Sequence, residues 1–286
     1  MAVGQRIALV GMIVTALLAV LKILTGLAGH STAVVADGLE STGDFFGSGI
    51  VLLGLTLAAK PPDADHPYGH GRLEILSGLL VGLALSAAGT LISAASFQRL
   101  GQPREPLAAF VVWPLLLSLI AKITLATVKF RHGRKSRSAA LTADAWHDAV
   151  DSISAVAALC AVGLTLLDPV RFSDADRWGG FVVGLIVITA GAHVAWDTTM
   201  QLIDTMPDAE MMGQIRATAA SVPRVRGIEK CFARKTGMRY HVDLHLEVDP
   251  EMTVRQSHDV AHLVRTRVME KLDWVADVLV HVEPAP

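Results

Sequence analysis

The chain has 286 residues, 52% of them hydrophobic and only 18% charged, and a mean hydropathy of +0.46 that is too apolar for an ordinary soluble protein. A formal net charge of -2 leaves no basic field for nucleic acid, and the apolar content excludes a disordered chain. Two cysteines, Cys160 and Cys231, imply no disulfide framework.

Crossing a bilayer takes about 20 mostly apolar residues, and six stretches qualify, at about 7–28, 33–59, 73–98, 107–130, 138–167 and 178–203. A backbone in lipid must satisfy its own hydrogen bonds, so each is expected to be a helix. Breaker residues separate them: Gly29 and His30, then Pro61, Pro62 and Pro67, then Pro103 and Pro106, then Gly133, then Asp168 and Pro169. Six crossings put both ends on one side. Lys60, Arg72, Lys129, Arg131, Arg134, Lys135 and Arg137 follow spans two and four, against Arg99, Arg104, Arg171 and Arg177 after the odd spans. The positive-inside rule therefore places both termini in the cytoplasm.

Residues 205–286 hold 23 of the 52 charged side chains, so a polar cytoplasmic domain is expected there, after a transmembrane domain at 1–204. Its pattern predicts a helix at 207–221, strands at 225–235 and 239–248, a helix at 253–272 and a strand at 275–283. Tyr240, Val242, Leu244, Leu246 and Val248 alternate with His241, Asp243, His245 and Glu247, the period of a half-buried strand. Thr253 suits a helix N-cap, and the element order gives a small α+β sandwich.

The second and fifth spans share the pattern Ala-Asp-x-x-[Glu/His]-x-x-x-Asp, at Ala36 to Asp44 and at Ala143 to Asp151. Lys22-Ile23 in span one is echoed by Lys122-Ile123 in span four, so spans one to three repeat as spans four to six. Each half has an odd number of helices, so the copies run in opposite senses, the inverted 3+3 plan of many secondary transporters. Residues four apart share a helix face, which pairs Glu40 with Asp44 and His147 with Asp151, with Asp37 and Asp144 one turn earlier.

Three unpaired carboxylates at mid-span would cost about 8 to 10 kcal/mol. Lys22 and Lys122 offer one remedy, as buried ion pairs that orient helices. A divalent cation is the better partner, because Glu40, Asp44, His147 and Asp151 make a four-ligand shell of the size zinc takes. The imidazole argues against Mg²⁺ and Ca²⁺, and the lack of thiolates against Cu(I). Zinc leads on affinity order, with iron, manganese, cobalt and cadmium as alternatives.

These pairs, the six spans, the connection His66-Pro67-Tyr68-Gly69-His70-Gly71 and the polar tail together resemble the cation diffusion facilitator family. The resemblance implies a homodimeric, proton-coupled exporter of divalent transition metals whose cytoplasmic domain is metallochaperone-like (ferredoxin-like). It implies a transport site at Glu40, Asp44, His147 and Asp151, where Glu40 departs from the Asp or His of well-known zinc members. It also raises Asp63, His66 and His70, which spacing alone leaves open between a solvated turn and a metal site, to a second site at the membrane edge. In the tail it points to His245, His258, His281 and Glu283 as regulatory metal ligands between subunits, with Glu229 where some members carry a further His. The expected location is a multi-pass integral protein of a bacterial inner (plasma) membrane, with lipid, a second copy, metal ion and proton as its partners.

Metal ligands must be deprotonated, so an imidazole beside carboxylates gives a physical basis for exchanging protons against metal. Two rivals come from other classes. An intramembrane metalloenzyme is disfavoured because no HExxH or GxSxG occurs and four protein ligands leave no open position. A membrane-anchored metal sensor would use the spans only as anchors.

Overall fold

The computed structural model describes residues 3–102, 105–136 and 139–286, except the side chains at 3–8, 47–49, 51, 52, 55, 133–136, 139–144, 146, 147 and 150. Six long helices run in order: α1 Val3–Ala28, α2 Thr32–Ala58, α3 Arg72–Gln98, α4 Val112–Ser136 after a short 3-10 turn at Ala109–Val111, α5 Ala139–Leu167 and α6 Ala175–Leu202. Their ends lie within a few residues of the expected spans. Among the described residues four are long and apolar enough to cross a membrane by length and composition, in α1, α3, α4 and α6. The other two, α2 and α5, have 27 and 29 residues.

The tail follows its sequence pattern: α7 Ala209–Ala220, β1 Gly227–Thr236, β2 Arg239–Val248, α8 Val254–Lys271 and β3 Val275–Pro284. The chain divides into two compact units, one of Met1–Gly49 with Val81–Val194 and the other of Ile50–Leu80 with Ala195–Pro286.

In the first unit, small residues let helices approach to backbone contact. A Cβ on Gly89 would stand 2.7 Å from the Gly184 carbonyl, and one on Gly191 would stand 2.6 Å from the Ser86 amide, so α3 and α6 pack through glycine and serine. Likewise a Cβ on Gly38 would lie 3.0 Å from the Ile23 amide, which fixes α2 against α1. Ala33, Val34, Val111, Leu115, Ala158, Val162 and Val183 are fully buried and fill the space between helices.

In the second unit the sheet order is β1-β2-β3, with β1 antiparallel and β3 parallel to β2. Val242, Leu244, Leu246 and Val248 are buried and their neighbours partly exposed, as the alternation predicts. That apolar face packs on Ile215 and Ala219 of α7 and Val260, Val264 and Val268 of α8. Thr253 caps α8 in a full capping box with Gln256. Asp208 caps α7 through the Met211 amide.

Candidate metal centre

The acids of α2 and the lysines of α1 and α4 meet inside the first unit. Lys22 lies 2.8 Å from Asp37, both fully buried, and also donates to the Asp37 carbonyl at 3.1 Å and to Ser41 Oγ at 2.7 Å. Lys122 lies 3.2 Å from Asp151 Oδ2, and Lys129 lies 2.6 Å from Asp148. Helical spacing explains the last two pairs: Lys122 and Lys129 are two turns apart on α4, and Asp148 and Asp151 one turn apart on α5.

Glu40 is 7% exposed and accepts a 2.8 Å hydrogen bond at Oε1 from Ser154 Oγ of α5. Its Oε2 is buried with no hydrogen-bond partner among the described residues. Lys122, Asp37, Asp151 and Asp44 all act on Glu40 electrostatically, so the expected acids of α2 and α5 share one region. Among the described residues their oxygens do not form a group within 4.8 Å of one another. The side chains of Asp144 and His147 lie outside the described residues; only their helical backbone is placed.

Two clusters do bring three ligand atoms within 4.8 Å of one another, and both fall in the second unit. The first is Asp63, His66 and His70. Asp63 Oδ1 accepts from the His66 amide at 2.7 Å and the Asp65 amide at 3.1 Å, which folds the loop back on itself. His66 Nδ1 then lies 3.2 Å and His70 Nε2 3.4 Å from the same carboxylate. Gly69, at φ +81°, makes the turn that returns His70, as its place beside Pro67 predicts. The hydrogen bond from the His66 amide holds the Asp63 carboxyl below the usual carboxylate range. This loop lines a cavity of about 620 Å³ with Tyr68, Leu76, Leu202 and Arg234.

The second cluster is His245, His281 and Glu283. Parallel pairing sets His245 beside His281 on the sheet face opposite the helices, with Glu283 two residues on. His245 Nδ1 lies 2.6 Å and His281 Nε2 3.6 Å from Glu283 Oε1. Glu229 Oε2 of β1 lies 3.9 Å from His245, at the cluster's edge. Hydrogen bonding with Glu229 first, and then His245, holds the Glu283 carboxyl low. His258 does not join this group among the described residues. It is exposed on α8, which covers the other face of the sheet, and its ring lies 6.5 Å from that of His262.

Sequence reasoning missed Ser154, Lys129 and Asp148 as parts of the membrane cluster. The signal was available: Ser154 is three residues after Asp151, Asp148 three before it, and Lys129 seven after Lys122.

The chain matches the cation efflux transmembrane domain over residues 8–203 and the cation efflux protein cytoplasmic domain over 207–285. It is 31% identical to Metal tolerance protein C1 of Arabidopsis thaliana, over 99% of this chain and 63% of that protein, so it spans less than two thirds of that relative's length. It is 28% identical to Manganese efflux system protein MneP of Bacillus subtilis (strain 168), over 99% of this chain and 96% of that one. A solved structure of a MamM CTD variant is 30% identical over 27% of this chain and 94% of that chain, with a TM-score of 0.27.

Proposed function

Because the chain belongs to the cation efflux, or cation diffusion facilitator, family and is therefore a multi-pass metal-cation transporter rather than an enzyme, we propose that it exports a divalent transition metal from the cytoplasm in exchange for protons. Glu40, Asp44, His147 and Asp151 form the transport site. The observation that carries this reading is the gathering of Glu40 with Asp37, Asp44 and Asp151 among packed helices, where acids are tolerated only if cations offset them.

Each half of the repeat contributes one pair of ligands, so rocking one half against the other opens the site to alternate sides. Metal loads from the cytoplasm, where both termini lie, and protons entering from the far side discharge the ligands. The loop trio Asp63, His66 and His70 binds metal at the cytoplasmic edge, and the tail trio His245, His281 and Glu283 binds regulatory metal in a homodimer.

Zinc is the first substrate on affinity order. Manganese is the second reading, supported by the oxygen-rich shell around Glu40 and by the name of the MneP relative. Purified protein in sealed vesicles with a metal-sensitive dye decides between them: transport of Zn²⁺ or Mn²⁺ is expected to speed up under an opposing proton gradient and to stop in Asp151→Asn. A rate independent of that gradient would remove the coupling. No metal movement at all would leave the sensor reading standing.

A further inference from the structure

The two repeat-related lysines are held in different ways. Lys22 is fixed by three partners, the Asp37 carboxylate, the Asp37 carbonyl and Ser41 Oγ, all within 3.1 Å. Two of these are hydrogen bonds and the third an ion pair, and together they staple α1 to α2. Lys122 meets Asp151 at 3.2 Å, and its Nζ makes no hydrogen bond among the described residues. It is only 3% exposed. The pairing is also shifted within the repeat: Lys22 takes Asp37, whose counterpart is Asp144, whereas Lys122 takes Asp151, the counterpart of Asp44.

We infer that Lys122 is a tethered cation that competes with the transported metal for Asp151, leaving this carboxylate when the ion arrives and reclaiming it when the ion departs. The inference rests on the reading of Asp151 as a transport ligand. Lys122 has somewhere to go, because Asp37, Glu40 and Asp44 lie within its electrostatic reach. A site that bound its ion with nothing to replace it would release it slowly. An internal ammonium lowers affinity and hastens release together, through a specific lysine rather than general repulsion.

The test is steady-state transport of Mn²⁺ and Zn²⁺ by the full chain in vesicles. Lys122→Met is expected to lower KM by about fivefold or more and to lower the maximal rate as well, while Lys122→Arg restores both. A folded Lys122→Met protein whose KM is unchanged or raised overturns the inference, since a lysine that merely braces helices has no reason to tighten binding when removed. If that variant does not fold, amine labelling of the wild type followed by mass spectrometry decides. Saturating Mn²⁺ should then raise modification at Lys122 and leave Lys22 unchanged, and equal labelling with and without metal overturns the inference. Asp151→Asn separates the two levels. Full transport by that variant defeats the transport-site reading itself, whereas its loss beside an unaltered KM in Lys122→Met defeats only the competition.

Discussion

Asp176, in the first turn of α6, accepts the backbone N–H of Thr32 at 2.7 Å, so the start of α2 is capped by a side chain from another helix. The same carboxylate takes the Ser31 hydroxyl at 2.5 Å, is 1% exposed, and belongs to a residue whose amide donates to Thr165 of α5. One residue thus ties together the ends of three helices, two of which carry the proposed metal ligands. Asp176→Ala leaves buried donors unmatched and is expected to cost about 2 to 4 kcal/mol. Thermal unfolding in detergent checks this, and a midpoint equal to wild type would show that the cap is not needed.

Ser154 orients Glu40 without itself carrying charge. Removing its hydroxyl leaves the Glu40 carboxylate one hydrogen bond short and free to rotate away from α5. Ser154→Ala should therefore weaken metal binding by about 1 kcal/mol, roughly fivefold in KM, with the fold intact. Transport kinetics at varied Zn²⁺ or Mn²⁺ measure it.

The depressed Asp63 carboxyl has a definite pH signature. Its contribution to the loop turn is present above the unfolded value of about 3.9 and is lost as pH falls through the lower folded value. The contribution of Asp63 itself should therefore stay constant from about pH 8 down to about pH 5. A carbon-13 titration of Asp63 is expected to show a midpoint below that of a free aspartate, and a midpoint above it would contradict the His66 amide bond.

In the tail, Thr253→Ala removes the hydroxyl that accepts the Gln256 amide, one half of the capping box on α8, and is expected to cost about 1 kcal/mol. Hydrogen exchange of the α8 amides is the sensitive readout. Faster exchange in the first turns alone would indicate fraying, and protection equal to wild type throughout would show the cap to be dispensable.

Hydrophobic length gave the six helices, because a span must be long and must close its own hydrogen bonds. Period-2 alternation gave β2, because one face of that strand has to be buried. The loop cluster was legible because Asp63, His66 and His70 fall within eight residues, whereas the tail ligands were expected only from the family resemblance, although His281 and Glu283 share a strand face. His245 joined them only through the register of β2 against β3, which no local pattern specifies. Asp176 was not legible at all, since its partners Ser31 and Thr32 lie far away in the chain and an acid near a helix start reads as an ordinary dipole partner.

Sequence alone thus determined which groups had to be placed in the membrane and that something cationic had to meet them, because helical spacing and the cost of burying charge act locally. Tertiary packing decided which cation meets which acid. The repeat makes Lys22 and Lys122 equivalent in sequence, yet one is locked to Asp37 and the other rests on Asp151, because pairing in a dry interior depends on distances between helices that chain periodicity does not fix.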